Sequence, residues 1–346
     1  MFRYGDVVEI GPNARYIVGR PRDMEKKIAD VANVVMYKSG STLVVVDDGA
    51  TPGFREYLNK AADQLKPFDK AVLIITHGHT DHTGNNGWID TLGVPAMAYM
   101  SDHDVAMMRD QVGAFAPLVD AVRPFVPGLP AGKQFMEGMI AQFGELDLEM
   151  KSLTFFETLP LEEIEVGETI WNGWRLLDGD VFVLQSTGHT GGHVAVFFPA
   201  IRHLHLADET TSYYQAFLCG HAQLNLLTIE RVAKAVKQGA VKSITDGHSF
   251  ALRQGREAAD YLDRLVYGAL AFDAAILRVL RENPDGITVG NLSKQVGAAP
   301  ELKDAPHGDA DVKPNPLLQL MQVLNKVKEL GIAVPDDAAG LLKFPR

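Results

Sequence analysis

The chain has 346 residues, of which 46% are hydrophobic and 22% charged, a composition typical of a soluble globular protein with a sizeable core. Its formal net charge of −11 disfavours nucleic acid and anionic membranes as partners, because both are negatively charged. A single cysteine, Cys219, excludes an internal disulfide; with no signal-peptide pattern and no membrane-length apolar run, we expect a cytoplasmic protein.

The N-terminal part of the chain alternates strand and helix signals. Valine-rich runs at 31–37 and 42–46 predict two strands, and the pattern from 53 to 65 predicts a helix. Residues 71–76 form a short apolar run that is typical of a strand buried on both faces. Strands interleaved with helices in this way predict a layered α/β or α+β sandwich.

Residues 103–160 are rich in Met and Phe. The spacing of Phe135, Met136, Met139 and Phe143 indicates one helical face, and prolines at 124, 127 and 130 predict two helices joined by a loop. Two compatible interpretations remain open. The segment could be ordinary helical core, or it could be an apolar lid over a site, where flexible Met side chains accommodate varied ligands.

Strand signals return further along the chain, and a helical stretch is expected beyond Glu230. The expected strands are 168–177, 181–185, 194–198, 203–206 and 241–245. Beyond residue 266 the pattern predicts three helices and then a hairpin: 269–282, 288–296 and 316–330, followed by 332–334 with 341–344. Three helices and a hairpin in this order predict a winged-helix-like module.

Four potential metal ligands fall within six residues directly after the apolar run at 71–76, in the segment His77-Gly78-His79-Thr80-Asp81-His82. Neutral imidazoles and carboxylates suit Zn²⁺ and related metals. Because His77 and His79 are two residues apart, they project the same way from extended backbone and can hold one ion. Asp81 and His82 come as the chain turns into a helix, and could reach a second ion.

Further histidines and an aspartate follow the other predicted strands: His189 and His193 in a glycine-rich turn, Asp208 after 203–206, and His248 after 241–245. The intact H-x-H-x-D-H motif, with these elements in order over about residues 15–250, resembles the metallo-β-lactamase superfamily of hydrolases. The resemblance implies an αββα sandwich. We therefore expect a catalytic domain over 1–265 with a lid-like helical insertion at about 103–160, and a C-terminal winged-helix-like domain over 266–346.

The resemblance also implies a role for each motif residue. It implies two groups of metal ligands bridged by Asp208: His77, His79 and His189 for one ion, and Asp81, His82 and His248 for the other. Asp47 would orient ligand histidines without binding metal, since a carboxylate fixes the imidazole tautomer. We expect His193 to lie beside the ligands. Two Zn²⁺ ions are the favoured cofactors, and Mn²⁺ or Fe²⁺ could use the same side chains.

Such a site implies hydrolysis. A water shared between two cations loses a proton near neutral pH, and the resulting hydroxide attacks an electrophilic carbon or phosphorus, with Asp81 as the catalytic group that orients it. The expected substrate is a small, partly apolar ester, lactone, thioester or activated aromatic compound. β-Lactams are not expected, because antibiotic-hydrolysing members lack the bridging aspartate. The alternative function is a phosphodiesterase or nuclease that uses the same two metals.

Two further segments bear on substrate and partners. In lactone-hydrolysing relatives a tyrosine shortly after the bridging aspartate binds the substrate carbonyl, so Tyr213 or Tyr214 could do so, or could simply pack. Residues 270–346 carry nine Lys and Arg against ten Asp and Glu, with only Lys326 and Lys328 on the third helix. A nucleic-acid reader normally shows a basic stripe. We therefore expect this module to pack, form a homodimer or close the pocket.

Overall fold

The computed structural model describes residues 2–23, 25–211, 220–303 and 316–343. Within these ranges two seven-stranded sheets pack against each other, helices cover both outer faces, and a two-stranded sheet lies in the C-terminal region. The αββα architecture expected from the sequence is therefore confirmed. No helix in the described ranges is both long enough and apolar enough to cross a membrane.

The first sheet contains strands β1 to β7 in chain order: Val7–Gly11, Ala14–Ile17, Val34–Ser39, Thr42–Val46, Lys70–Ile74, Ala96–Met100 and Leu153–Phe155. Strands β1 to β4 are antiparallel, whereas β4 to β7 are parallel. The carboxyl ends of β4 and β5 therefore lie on the same edge, where the histidine motif begins. Strand β4 has the predicted bounds, and β3 begins three residues later than expected.

The second sheet contains strands β8 to β14: Glu162–Val166, Thr169–Leu176, Val181–Gln185, Val194–Phe198, His203–His205, Ser243–Thr245 and Arg253–Gln254. Neighbouring strands are antiparallel except for the parallel pair β12 and β13. Strands β10 and β11 have the predicted bounds. The sequence pattern missed β8, which pairs with β9 at the edge of the sheet.

The described helices are α1 to α9: Arg55–Leu65, Thr80–Thr83, Asp102–Arg109, Gln111–Val122, Gly132–Ile140, Ala222–Lys237, Gly255–Glu282, Val289–Gly297 and Pro316–Glu329. Helix α1 packs on the outer face of the first sheet, and α6 and α7 pack on the second. Helix α2 is the single turn that carries the end of the histidine motif.

Successive side chains of a strand point to opposite faces of the sheet, so one strand packs against two layers. In β4, Val44 and Val46 belong to the core between the two sheets, whereas Leu43 and Val45 face the layer that contains α1. All four side chains are fully buried. Burial of one such side chain stabilises the fold by about 1.5–3 kcal/mol. Both faces of β4 thus anchor the strand, which keeps its carboxyl end rigid beside the histidine motif.

The insertion contains three helices, α3 to α5, and not the two that were expected. Asp110 ends α3 and caps α4, because its backbone leaves the helical region and its side chain accepts a hydrogen bond from the Gly113 amide. Met108 of α3 joins the core under the first sheet, whereas Val122 of α4 joins the core under the second. The insertion thus spans both outer layers.

The C-terminal region differs from the sequence interpretation in two ways. Helix α7 begins at Gly255 and runs through the boundary placed between residues 265 and 266; the division itself stays a prediction. The expected hairpin is wrong, because β16 (Leu341–Leu342) pairs with β15 (Ile287–Thr288) and residues 332–334 form no strand. Helices α7 to α9 share one core with the second sheet. The winged-helix assignment of this region stays a prediction.

Candidate metal centre

The seven predicted metal-binding side chains all follow directly on strands: His77, His79, Asp81 and His82 after β5, His189 after β10, Asp208 after β12, and His248 after β13. The structure brings all seven together. Six are buried, and the side chain of His248 remains 25% exposed. The cluster therefore lies inside the rim of the sandwich and opens to solvent on the side of His248.

The cluster divides into two groups. One ligand atom from each of His77, His79, His189 and Asp208 lies within 4.8 Å of the others, and the same holds for Asp81, His82 and His248. In the first group, His189 Nε2 lies 3.1 Å from His79 Nδ1. In the second, His248 Nε2 lies 3.0 Å from Asp81 Oδ2, and His82 Nε2 lies 3.6 Å from the same oxygen. The first group contains Asp208 beside the three histidines expected for one ion, and the second contains the three residues expected for the other.

Asp208 lies between the two groups. Its Oδ2 is 3.4 Å from His189 Nε2 of the first group, and its Oδ1 is 3.2 Å from His82 Nε2 of the second. Oδ2 also lies 3.3 Å from His248 Nε2. One carboxylate thus faces both groups: Oδ2 lies near a histidine of each group, and Oδ1 lies near His82 of the second. A carboxylate in this position can bridge two cations.

Protonation differs between the two groups. Burial, followed by the charge of neighbouring histidines, lowers the pKa of His77 well below its usual range and that of His79 to about 3. Burial also opposes protonation of His82 and His248, but the Asp208 and Asp81 carboxylates outweigh it and raise both pKa values. His77 and His79 therefore favour the neutral imidazole, whereas His82 and His248 favour the protonated form beside the two carboxylates.

The donor set fits divalent metal ions. Nε2 of His77 is buried without a hydrogen-bond partner among the described residues, and it faces Asp208 Oδ2 at 3.9 Å. A buried polar atom without a partner costs free energy unless something binds it, and a metal ion would satisfy this one. Imidazole and carboxylate donors suit Zn²⁺, Mn²⁺ and Fe²⁺ alike. These side chains can hold divalent metals, and their types do not select one.

Asp47 and His193 lie outside both groups and contact them. Asp47 Oδ2 accepts a hydrogen bond from His82 Nδ1 at 2.8 Å. His193 Nε2 accepts one from the Asp208 amide at 3.2 Å, while its Nδ1 lies 2.8 Å from Ser186 Oγ. Both ring nitrogens of His193 thus have partners other than the ligand atoms of the two groups. The supporting roles of Asp47 and His193 stay predictions.

Two carboxylates that the sequence analysis did not single out also contact the site. Glu209 accepts hydrogen bonds from the amides of Gly188 and His189 at 2.8 and 2.9 Å and from Asn225 Nδ2 at 2.6 Å. Burial raises the pKa of Glu209 to about 7, although these donors oppose the shift. Its position directly after Asp208 was the one available signal. Asp104, on α3, contacts Gly78, Thr190 and Gly192, and carried no sequence signal at all.

The insertion reaches the site through α4. The ring of Phe115 packs against that of His79 at a centroid distance of 5.2 Å, and Gln111 Nε2 donates a hydrogen bond to the carbonyl oxygen of Gly78.

Tyr213 and Tyr214, the proposed substrate contacts, lie outside the described residues. His203 and His205 are buried in β12 and bond hydroxyl groups of β13, and His103 is exposed.

Comparison with known proteins agrees with the fold. No curated protein sequence matches the chain. A beta-lactamase domain protein from Burkholderia ambifaria matches 99% of this chain with 94% of its own, at a TM-score of 0.61 and 15% identity. A metallo-beta-lactamase family protein from Thermus thermophilus matches 98% of this chain with 100% of its own, at a TM-score of 0.62 and 16% identity.

A third structure, the stereoselective inverting sec-alkylsulfatase from Pseudomonas sp., matches 94% of this chain with 50% of its own, at a TM-score of 0.58 and 14% identity. At these identities the likeness shows the fold. The family model of the metallo-beta-lactamase superfamily matches residues 28–199, which include the H-x-H-x-D-H motif and His189. With this match, the shared fold and the His and Asp cluster, the chain belongs to the metallo-β-lactamase superfamily, whose members are typically metal-dependent hydrolases.

Proposed function

We propose that this chain is a dinuclear metal-dependent hydrolase that cleaves a small, partly apolar ester, lactone, thioester or activated aromatic compound. The observation that carries the proposal is the position of Asp208, whose two oxygens lie 3.2 Å from His82 and 3.4 Å from His189. In this proposal His77, His79 and His189 hold one ion, and Asp81, His82 and His248 hold the other. Two Zn²⁺ ions are the favoured pair.

Divalent metals bound there would make water nucleophilic near neutral pH and would polarise the substrate oxygen. The chain's own groups position the reactants. Asp81 is held as a carboxylate, because His82 and His248 together outweigh the effect of burial and lower its pKa. Its oxygens can accept a hydrogen bond from the attacking water and so orient it. His248, the exposed member of the cluster, marks the side from which substrate would approach.

The insertion supports a small, partly apolar substrate. Phe115 contacts His79 and presents an aromatic wall to the first ligand group. On α5, Phe135, Met136 and Met139 are only partly buried, which leaves apolar side chains available near the sandwich rim. Met139 contacts the loop before β3, because Nη1 of Arg22 in that loop lies 3.2 Å from the Met139 sulfur. In this proposal the insertion covers the site as a lid.

A nucleic-acid substrate receives no support from the two lysines of α9. Of the two lysines on α9, Lys326 is buried and its Nζ lies 2.6 Å from Asp273 Oδ2. That charge is therefore satisfied within the protein and cannot neutralise a phosphate. Of these two lysines only Lys328 is exposed, and nonspecific binding to a phosphate backbone requires several such contacts.

A substrate panel tests the proposal. The chain is loaded with Zn²⁺, Mn²⁺ or Fe²⁺ and offered p-nitrophenyl acetate and butyrate, a lactone, a thioester, p-nitrophenyl sulfate and bis-p-nitrophenyl phosphate. We expect turnover of a carboxylic ester, lactone or thioester that is lost on chelation, in His79→Ala and in Asp208→Ala. His103→Ala is the matched control, because this exposed histidine lies outside the ligand groups.

Two outcomes would count against the proposal. Turnover of the phosphodiester alone, abolished by His79→Ala, would replace the substrate class with the phosphodiesterase alternative; turnover of the sulfate alone would indicate a sulfatase. Metal analysis that finds well under one ion per chain, with none restored by added metal, would contradict the hydrolase itself.

A further inference from the structure

The carboxylate of Asp104 joins two loops that carry metal-binding histidines. Its Oδ2 accepts hydrogen bonds from the Gly78 amide at 3.2 Å and from Thr190 Oγ1 at 2.5 Å, and its Oδ1 accepts one from the Gly192 amide at 3.2 Å. Gly78 separates His77 from His79, and Thr190 follows His189 directly. Asp104 is itself only 2% exposed. One buried carboxylate thus receives donors from both sides of the first ligand group.

The backbone of both loops approaches Asp104 as closely as glycine permits. A Cβ on Gly78 would lie 2.5 Å from the carbonyl oxygen of Asp104, and a Cβ on Gly192 would lie 2.9 Å from its Cγ. Contacts under 3.0 Å would force the backbone or the carboxylate to move. Glycine at these two positions therefore allows both amides to reach the same side chain.

Asp104 is held in place from its own side. It lies in the first turn of α3, whose N-cap is Ser101, with Ser101 Oγ accepting a hydrogen bond from the His103 amide. The same hydroxyl donates to Glu157 Oε1 at 2.6 Å, and Glu157 Oε2 accepts from the Asp102 amide. The start of the helix is therefore fixed to the rest of the domain, and it presents Asp104 to the loops at a set position.

We propose that Asp104 is a positioning residue for the metal centre: its carboxylate sets the separation of the His77–His82 loop from the His189 loop. The inference rests on the proposed function, because it concerns the geometry of that ligand group. At their bases the two loops share a hydrogen bond from the Val194 amide to the Thr76 carbonyl. Nearer the histidines, the Asp104 carboxylate joins the two loops instead, through its hydrogen bonds with Gly78, Thr190 and Gly192. Because Asp104 belongs to α3, these bonds also connect the insertion to the site.

The test compares three variants with a matched control. Asp104→Ala removes the acceptor for all three donors, Asp104→Asn keeps one acceptor oxygen, and Thr190→Val removes one donor at nearly constant volume. Asp102→Ala removes an acidic side chain from the same helical turn, but that exposed carboxylate contacts neither loop. Each protein is measured for metal affinity by chelator competition and, without metal, for amide hydrogen exchange.

For Asp104→Ala we expect metal affinity to fall by about 10–100-fold, the range found when a group that orients a ligand is lost. Asp104→Asn and Thr190→Val should lose less, and Asp102→Ala should stay within about twofold, as for an ordinary surface change. In metal-free Asp104→Ala, amides of both 77–82 and 188–193 should exchange faster while those of β13 do not. A purely structural role would instead accelerate exchange throughout the domain.

Asp104→Ala with the affinity and exchange of Asp102→Ala would overturn the inference while leaving the proposed function intact. If Asp104→Ala does not fold, the inference is tested with Thr190→Val and Asp104→Asn. Metal affinity equal to that of the parent in both variants would also overturn the inference. A parent chain that binds no metal would contradict the proposed function and this inference together. Weaker metal binding in the Asp104 variants supports the inference when faster exchange is confined to the two loops and the parent binds metal normally; faster exchange throughout the domain would overturn it.

Discussion

Asp47 Oδ2 lies 2.8 Å from Nδ1 of His82, and this contact determines which nitrogen of the imidazole faces the cluster. The same carboxylate accepts hydrogen bonds from the amide and the hydroxyl of Thr76, each at 2.8 Å. Because the Thr76 hydroxyl donates to Asp47, its oxygen is left to accept from His77 Nδ1 at 3.1 Å. One buried carboxylate thus directs Nε2 of both His77 and His82 toward the ligand groups.

Removal of this carboxylate should weaken metal binding. We expect Asp47→Ala to lower metal affinity by about 10–100-fold, because His82 and Thr76 lose the acceptor that orients them. Hydrolytic activity at limiting metal should fall with it. The measurement is chelator competition, combined with activity as a function of free metal concentration.

Asp48→Asn is the control for that change. Asp48 is the neighbouring residue, and its buried carboxyl group accepts a hydrogen bond from the Asn85 amide; its contact with His82 runs from the Asp48 amide to the His82 carbonyl oxygen, which the substitution retains. Burial raises its pKa well above the usual range, so the neutral amide resembles its protonated form. Metal affinity should stay near that of the parent. Equal losses in Asp47→Ala and Asp48→Asn would show that the effect arises from general disturbance of the loop.

The sequence singled out the seven side chains that the structure clusters, but it missed Asp104, which contacts the loops that carry them. The ligands carry a compact motif and follow strong strand signals, so they could be recognised along the chain. Asp104 could not, because its role depends on α3 lying against two loops that are distant in sequence. In the sequence it is one acidic residue in a first helical turn, where such residues are common for electrostatic reasons.

In the fold, too, elements defined by neighbouring residues were predicted, whereas a contact between segments distant in the sequence was not. Strands β4, β10 and β11 were predicted at their observed bounds because runs of buried apolar residues define them. The C-terminal pairing was missed because Leu342 pairs with Ile287, far from it in the chain, and both are buried. Helix α7 was predicted to start too late, because Gly268 interrupts an otherwise helical pattern.

Glu209 should contribute to the stability of the fold. Glu209→Ala leaves the amides of Gly188 and His189 and the side chain of Asn225 without their acceptor. We expect a loss of about 2–4 kcal/mol in the free energy of unfolding, since unsatisfied buried donors are costly. Glu209→Gln should lie between this variant and the parent. Glu168→Gln, at an exposed position, is the control, and an equal response to chemical denaturation in all four proteins would contradict the prediction.

His203 should make the fold sensitive to acid. Burial, followed by the charge of His205, lowers its folded-state pKa to about 3, against about 6.5 when unfolded. Above about pH 6.5 both states are neutral. As the pH falls below this value the unfolded chain binds a proton that the folded chain refuses, so stability decreases until about pH 3.

His203→Asn removes this titration. The decrease in unfolding free energy between about pH 7.5 and about pH 5 should be smaller than in the parent by about 1–2 kcal/mol. It is measured by urea denaturation at both pH values in the presence of a chelator. His103→Asn, at an exposed histidine, should show the parental decrease. A parental decrease in His203→Asn as well would show that this histidine is not the acid-sensitive group.

Phe115 should affect substrate binding more than metal binding. Phe115→Ala removes the ring that packs against His79. We expect KM for p-nitrophenyl butyrate to rise by about tenfold, because the butyrate chain would lose its apolar contact with this ring. Metal content should not change, and KM for the acetate should rise less. Phe182→Ala, whose ring packs on Phe197 in the second sheet, is the control. Loss of metal in Phe115→Ala would instead place this ring among the groups that support the ligands.

The ion pair between Lys326 and Asp273 should hold α9 against α7. Lys326→Ala leaves the half-buried Asp273 without its partner, which we expect to cost about 1–3 kcal/mol, less than a fully buried pair would because Asp273 is still 25% exposed. Lys328→Ala, two residues further along the same helix and exposed, should change the unfolding free energy by less than about 0.5 kcal/mol. In the double variant Lys326→Met with Asp273→Leu neither member of this pair is left behind, so stability should recover in part; the 3.6 Å contact of Lys326 with Glu329 is still lost. Additive losses in the double variant would show that the two side chains act independently and that the pair does not couple the helices.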